Sequence, residues 1–143
     1  MKYLTNYVEE GQTRAFEKAG SFFAFSDKRF NEQKKEGVKY SHVGAGLICP
    51  KENVKSLMDE LDKVGEAGIK QDIEENGLKA IIHRELGNHE YSYTYELEPT
   101  IMALQGYPIT PELIKKEARQ YLVDYYAWED AEELKAQKAE ATV

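Results

Sequence analysis

The fold class is decided by residues 38–64, which read VKYSHVGAGLICPKENVKSLMDELDKV. The first residues of this stretch alternate between apolar and polar types, a period typical of a half-buried strand. Gly44 and Gly46 indicate a bulge or a turn, after which an apolar strand resumes. From Pro50, a residue type favoured at the start of a helix, the apolar positions follow a helical period. These positions are Val54, Leu57, Met58, Leu61 and Val64.

The chain before this stretch contains two more helices and one more strand by pattern. Residues 3–19 place apolar side chains on one helical face, and a glycine ends the segment. The aromatic run from Phe22 to Phe25 is typical of a buried strand. Ser26 can cap a short helix that runs through Lys35. The two strand regions together predict a small two- or three-stranded sheet.

Glycines divide the following part of the chain into shorter helical segments. Gly65 and Gly68 are expected to loosen the end of the preceding helix, because glycine weakens a helix interior. Another helical segment starts at Ile69, is interrupted at Gly77 and ends at Gly87. These ends are predicted because glycine readily adopts the left-handed backbone conformation that terminates many helices.

The last long helix has the clearest start. Thr110 is a hydroxyl N-cap, Pro111 suits the first helical position, and Glu112 places an acid in the first turn. The apolar stripe that follows predicts a continuous helix from about Pro111 to at least Trp128. The remaining residues, 129–143, have almost no apolar face, so they are expected to form an acidic helix end or a frayed tail.

The predicted fold class is α+β, mainly helical, with five or six helices around a small two- or three-stranded sheet. The helices include a short one from about Glu98 to Gly106, which ends at that glycine. A chain of 143 residues can bury a hydrophobic core without disulfides or metal. Residues 1–128 are therefore expected to form a single globular domain.

Cysteine content and hydropathy predict a cytoplasmic protein. Cys49 is the only cysteine, so no internal disulfide can form, which fits a reducing compartment. The N-terminal residues lack the apolar stretch of a signal peptide, and no run is long and apolar enough for a membrane span. Cys49 would lie just before a helix N-terminus, where a thiol can become nucleophilic. A small buried core residue is the simpler interpretation.

Charge is distributed unevenly along the chain, which has 19 Lys/Arg, 26 Asp/Glu and a formal net charge of −7. Residues 1–55 contain 10 basic and 7 acidic side chains, hence +3, and residues 56–143 contain 9 and 19, hence −10. Because phosphate neutralisation dominates nucleic-acid affinity, no direct binding of nucleic acid is expected, and no membrane binding either. A protein partner is expected, and a basic surface on it would complement the acidic half.

A metal site is the alternative hypothesis. The string Gly87-Asn88-His89-Glu90 resembles one block of the calcineurin-like metallophosphoesterases, but that family's Asp-x-His and Gly-Asp blocks do not occur in this sequence. A helix end followed by a polar turn explains the string more simply. His83 and His89, with Glu85 and Glu90, could still hold one divalent metal ion in a small hydrolase that uses the His83–Glu90 region. The simpler interpretation places the histidines on a helix flank and a loop, and no cofactor is expected.

Tyrosines predict an interaction surface. Residues 89–95 alternate and are expected to be extended, so Tyr91, Tyr93 and Tyr95 would point to the same side. Tyrosine is favoured at interfaces because its ring is apolar and its hydroxyl forms hydrogen bonds. These three residues are therefore predicted to contact the partner. A second aromatic group on the last helix is expected to be mainly core: Tyr121, Tyr125, Tyr126 and Trp128.

Three segments, Phe22–Gln33, Gly44–Pro50 and Glu85–Glu90, resemble a family of small uncharacterised proteins of bacterial phages and mobile elements. The resemblance covers roughly residues 20–125 and brings no catalytic residues with it. It implies a context, that of a small accessory protein directed against host machinery. The leading hypothesis is therefore a non-enzymatic accessory protein that acts by binding another macromolecule, with its oligomeric state left open.

Overall fold

The structure is a computed structural model that describes residues 1–142. Within these residues, seven α-helices accompany one three-stranded antiparallel sheet, so the α+β, mainly helical fold class is confirmed. In chain order the elements are α1 (Leu4–Ala19), β1 (Phe22–Phe23), α2 (Asp27–Gln33), β2 (Tyr40–Gly44), β3 (Leu47–Pro50), a 3-10 helix (Lys51–Asn53), α3 (Val54–Asn76), α4 (Leu78–Asn88), α5 (Tyr91–Thr94), α6 (Glu98–Ala103) and α7 (Pro111–Ala141).

The chain divides into two compact units, Met1–Asp72 and the residues from Ile73 onwards. They are called the N-terminal unit and the C-terminal unit below, and the division falls inside α3. The single globular domain expected over residues 1–128 stays a prediction, because compactness alone does not show whether either unit folds independently.

The sheet belongs to the N-terminal unit and has the strand order β1-β3-β2. All residues of the central strand β3 are buried, as its continuous apolar run suggests. β2 and β3 form a hairpin around Ala45 and Gly46, whose φ angles of 51° and 80° are left-handed, as tight hairpin turns require. The register shifts between His42 and Gly44, so the predicted bulge or turn is confirmed.

The core of the N-terminal unit joins β3 to α1 and α3. One cluster of this core consists of the buried residues Ala15, Ala19, Leu47, Cys49 and Leu57. Partly buried side chains pack against them, and these are Phe16, Val43, Val54 and Leu61. Truncating a fully buried leucine such as Leu57 to alanine typically costs about 2–5 kcal/mol, so this cluster contributes much of the unit's stability.

α3 runs through Gly65 and Gly68 without a break, so the loosening and the separate segment predicted there are wrong. Gly68 is buried, and a Cβ at this position would overlap Cγ1 of Val8 in α1. Gly11 of α1 is the reciprocal case, since a Cβ there would lie 2.8 Å from Cγ1 of Val64. These glycines allow two helices to approach closely. A sequence pattern does not distinguish that role from a helix end.

α4 is the central helix of the C-terminal unit, where it contacts α5, α6 and α7. It starts after Gly77, whose φ is 78°, so the predicted interruption is confirmed. Its residues Ile81, Ile82 and Leu86 are fully buried. Ile114 of α7 and Thr100 of α6 are also buried in this unit. The C-terminal unit therefore has its own apolar core around one helix.

The start of α7 follows from its capping residues. The side-chain oxygen of Thr110 accepts a hydrogen bond from the backbone N–H of Leu113 at 3.2 Å. Pro111 occupies the first helical position. An N–H at this position would find no acceptor within the helix, so proline loses no hydrogen bond there. The helix predicted from Pro111 to at least Trp128 is therefore confirmed, and it continues to Ala141.

The end of α7 carries the predicted acidic helix end or frayed tail. The structure shows helix as far as Ala141, and residues 129–142 are exposed throughout. Val143 lies outside the described residues. Nowhere in residues 1–142 is a helix both long enough and apolar enough to cross a membrane.

Residues 89–95 are not extended, and the sequence prediction for them is wrong. They form a turn and the single helical turn α5, closed by a hydrogen bond of 2.9 Å from Tyr95 N to Tyr91 O. Glu90 and Tyr95, at its two ends, have left-handed φ angles of 54° and 56°. Alternation predicts a strand only where a neighbouring strand can pair with it, and the described part of the C-terminal unit contains none.

Candidate functional site

The aromatic residues at α5 and along α7 form one continuous cluster, called the tyrosine surface here. Its members are Tyr91, Tyr93, Tyr95, Tyr121, Tyr125, Tyr126 and Trp128. Tyr91 links the two elements, because its ring centroid lies 6.1 Å from that of Tyr95 and 6.5 Å from that of Tyr121. Tyr125 then contacts Tyr126 at 5.7 Å and Trp128 at 5.8 Å. Ring contacts of this kind hold aromatic side chains in defined positions.

The helical turn α5 decides where its three tyrosines lie. In a helix, residues four apart are neighbours and residues two apart are on nearly opposite sides. Tyr91 and Tyr95 accordingly contact each other, and Tyr93 projects away with 86% of its surface exposed. The prediction that all three point to the same side is therefore wrong. Their predicted role in partner binding stays a prediction.

A hydrogen bond joins the hydroxyls of Tyr95 and Tyr126. This bond raises the pKa of Tyr126 above its ordinary value, and the nearby carboxylate of Glu129 acts in the same direction. Both phenols are exposed, at 57% for Tyr95 and 42% for Tyr126. The contact therefore connects α5 to α7 at the solvent boundary and stabilises the arrangement of the rings.

The charges around the tyrosine surface have one sign along the chain. Residues 86–98 contain three Asp/Glu and residues 121–134 contain five, and neither segment contains Lys or Arg. Trp128 is 57% exposed, so its large ring is open to solvent on the acidic segment of α7 beside the tyrosines. Large exposed aromatic side chains next to charge of one sign are typical of recognition surfaces.

A shallow groove of about 400 Å³ lies within the tyrosine surface. Its lining residues come from α4, the following turn, α5 and α7, and they are Gly87, Glu90, Ser92, Tyr93, Tyr121 and Tyr125. Gly87 keeps the groove open, since a Cβ at this position would lie 3.3 Å from the hydroxyl of Tyr121. The groove therefore combines tyrosines with one acidic side chain.

Two polar side-chain pairs involve α4, the helix that contacts α5 and α7. Nε2 of His83 lies 2.8 Å from a carboxylate oxygen of Glu117 in α7, and the His83 ring also contacts Tyr121 edge-on at 5.8 Å. Nε of Arg84 lies 2.9 Å from a carboxylate oxygen of Glu85, and both side chains are at least nine-tenths buried. The tyrosine surface therefore contacts a helix, α4, that carries largely buried polar side chains.

Glu85 has a second histidine neighbour. Nε2 of His89 lies 3.5 Å from the other carboxylate oxygen of Glu85, a distance suited to an ion pair but without hydrogen-bond geometry. Thr100 of α6 donates its hydroxyl to the backbone oxygen of Glu85 at 3.4 Å. Glu85 thus connects side chains and backbone of α4, the following turn and α6.

Membership in a family is shown by a direct match. The family of unknown function DUF7659 matches residues 4–125 of the chain. The chain belongs to this family. The DUF7659 region contains every residue that lines the groove, and it ends before Tyr126 and Trp128. No curated protein and no solved structure matches the chain.

In this DUF7659 chain, the residues of the metal hypothesis lie in separate environments. His83 pairs with Glu117, His89 lies against Glu85, and Glu90 is exposed at the groove. Within residues 1–142, no group of three or more His, Cys, Asp or Glu side chains is arranged to hold a metal ion. The metal site stays a prediction that no contact in the structure favours.

Cys49 is a core residue of the N-terminal unit in this DUF7659 structure. Its side chain is fully buried and its sulfur lies 3.4 Å from the carbonyl oxygen of Pro50. Burial raises the pKa of the thiol, so the reactive thiolate is disfavoured. This environment agrees with the simpler interpretation of Cys49 as a small core side chain.

Sequence reasoning named Glu85 beside the histidines but missed Glu117, the carboxylate that pairs with His83. The spacing of Glu85 and His89, four residues apart, is that of neighbours on a helix. Glu117 lies 34 residues from His83 along the chain, and no local pattern connects them. Arg84 was equally undetectable, because a buried arginine and an exposed one look alike in a helix sequence.

Proposed function

We propose that the protein acts by binding another protein through the tyrosine surface, without catalysing a reaction. The observation that carries this proposal is the continuous aromatic cluster on two segments that contain eight acidic residues and no basic ones. The partner it fits has a basic surface with apolar side chains among its charges.

Affinity would come mainly from the rings. Exposed ion pairs contribute only about 0–1 kcal/mol each, whereas a buried tyrosine or tryptophan at an interface can contribute about 2 kcal/mol or more. Tyr93, Tyr95 and Trp128 are each more than half exposed, so a partner could remove substantial apolar area from water. Ring contacts with Tyr91 and Tyr125 restrict the rotamers of Tyr95 and Trp128 beforehand, which lowers the entropic cost of binding.

The acidic side chains would act mainly on the association rate. Charge of one sign attracts a partner of opposite charge before contact, and this attraction weakens as salt shortens the Debye length to about 10 Å at 0.1 M. The association rate with the partner should therefore fall as salt rises, and the dissociation rate should change less.

A phage or mobile-element context is part of the same proposal. It is supported by the resemblance of Phe22–Gln33, Gly44–Pro50 and Glu85–Glu90 to proteins of such elements. In this context the partner would be a component of the host machinery, and a bacterial lysate is the place to capture it.

The test measures how single substitutions change binding to a captured partner. Tyr93→Ala and Trp128→Ala should each raise the dissociation rate by about 30-fold, equivalent to about 2 kcal/mol, with an unchanged melting temperature. Phe25→Ala is the matched control, because Phe25 is an aromatic residue that is 75% exposed in the N-terminal unit. The proposal fails if both variants bind like the wild type, or if Phe25→Ala has the same effect.

A further inference from the structure

The groove inside the tyrosine surface has the composition of a site for an organic cation. Three tyrosines, the Glu90 carboxylate and the Ser92 hydroxyl belong to its lining, which contains no Lys or Arg. Tyrosine rings attract cations through the negative face of the ring, and a carboxylate beside them neutralises the bound charge.

No cation of the chain itself competes for this groove along the segments that form it. Residues 86–98 and 121–134 contain no Lys or Arg. Arg84 is the basic residue nearest to Gly87 in sequence, and its side chain is 4% exposed and paired with Glu85. These two segments therefore bring no cationic side chain of their own to the rings and the carboxylate of the groove.

We infer that the groove binds an arginine side chain of the protein partner, an inference that rests on the proposed function. A guanidinium is planar, stacks on aromatic rings and forms parallel hydrogen bonds with a carboxylate. The groove offers both features, because Tyr93, Tyr121 and Tyr125 line it together with Glu90. A lysine ammonium is more strongly hydrated and cannot stack in this way.

The experiment titrates the full chain with N-acetyl-arginine amide and follows backbone amide signals by NMR. Saturable shifts should appear at Gly87 and across Glu90–Tyr93, which lie at the groove. N-acetyl-citrulline amide, a neutral compound of nearly the same shape, should bind about two- to fivefold more weakly, the effect of losing an exposed cation–π contact. Equal binding of the two compounds, or shifts centred on residues 129–142, would overturn the inference.

Two variants and one control test the geometry. Glu90→Gln removes the carboxylate charge, and Gly87→Ala adds a methyl group beside the Tyr121 hydroxyl. Each should weaken arginine amide binding by at least about fivefold. Gly87→Ala should keep the fold, since alanine is the better helix former. Glu96→Gln, an exposed acid nearby that does not line the groove, should bind like the wild type.

The outcomes separate this inference from the proposed function. If arginine amide does not bind the groove but Tyr93→Ala weakens the captured partner, the inference is wrong and the proposed function stands. If arginine amide binds the groove and neither Tyr93→Ala nor Trp128→Ala affects the partner, the proposed function is wrong. In that case the arginine would not belong to the captured protein, which also overturns the inference as stated.

Discussion

The two units each carry an aromatic cluster, and the two clusters differ in what lies next to them. In the N-terminal unit, the rings of Phe22, Phe30 and Tyr40 contact one another at 6.2, 5.5 and 5.8 Å beside the fully apolar strand β3. In the C-terminal unit, the tyrosine surface lies next to α4, which carries the buried Arg84–Glu85 pair. The first cluster lies beside an apolar strand, whereas Tyr121 of the second contacts His83 of α4, which pairs with Glu117.

The clusters also differ in their contacts with basic side chains. The Nζ of Lys34 lies 5.9 Å from the ring centre of Phe30 in the N-terminal cluster. In the part of the chain that the structure describes, no Lys or Arg makes such a contact with the tyrosine surface. The two clusters thus differ in an observed contact with a basic side chain, which Phe30 makes in the N-terminal unit.

The largest expected effect comes from disrupting the buried Arg84–Glu85 pair of α4. Glu85→Ala would remove the carboxylate that lies 2.9 Å from the buried Arg84 guanidinium and should lower the free energy of unfolding by about 3–5 kcal/mol. Urea denaturation followed by circular dichroism measures this loss. Glu85→Gln is the control, because it keeps the shape and should cost less. An unchanged free energy of unfolding for Glu85→Ala would show that the Arg84–Glu85 pair does not stabilise the C-terminal unit.

A direct comparison of the two clusters should give the next effect. Phe22→Ala should lower the free energy of unfolding by about 2 kcal/mol, because Phe22 is only partly buried and a fully buried Phe→Ala change costs about 3–5 kcal/mol. Tyr93→Ala should change it by less than about 0.5 kcal/mol, since the side chain is exposed. Thermal denaturation of both variants is the measurement, and a reversed order would break the comparison.

His83→Ala separates a structural role from a metal site. It removes the partner of Glu117 at 2.8 Å, so the free energy of unfolding should fall by about 1–2 kcal/mol, and the metal content should not change. Elemental analysis of wild type, His83→Ala and the exposed control His42→Ala checks this. Stoichiometric zinc, iron or manganese in the wild type that His83→Ala removes would favour the metal-dependent hydrolase instead.

The smallest effect concerns Cys49 of the buried strand β3, beside the N-terminal cluster. Burial raises the pKa of Cys49 above its ordinary value of 9.0, so the unfolded chain loses the thiol proton first as pH rises. The contribution of the neutral thiol to the free energy of unfolding is fully present below about pH 9. It is lost as pH rises further, and the loss at pH 9.5 should be under about 1 kcal/mol. Urea midpoints for wild type and Cys49→Ala at pH 8 and 9.5 test it. Identical pH dependence in both proteins would contradict a buried neutral thiol.

Local patterns predicted most of the fold correctly. The Thr110–Pro111 start of α7, the hairpin at Ala45–Gly46 and the break at Gly77 all depend on residues within one turn of each other. Patterns failed where one residue type has two uses. Gly68 allows close helix packing instead of ending α3, and the alternating segment 89–95 had no strand to pair with.

The candidate site was predictable only in part. The sequence identified Tyr91, Tyr93 and Tyr95 and the acidic second half as unusual. It placed the three tyrosines on one side because it assumed an extended backbone, and it assigned Tyr125 and Trp128 mainly to the core. In the structure Tyr125 lines the groove and Trp128 is more than half exposed. Exposure depends on which helix face finds a partner, and α7 continues beyond its buried residues Ile114 and Ala118.

The sequence by itself determined the α+β class, the strong helix starts, the sign of the charge on each half and the abundance of tyrosine. These properties depend on composition and on periods of two to four residues. Only the tertiary structure decided that Tyr91 meets Tyr121, that His83 meets Glu117 and that a groove opens beside Gly87. These contacts join residues about 30 positions apart, and they depend on how α4, α5 and α7 pack rather than on any local pattern.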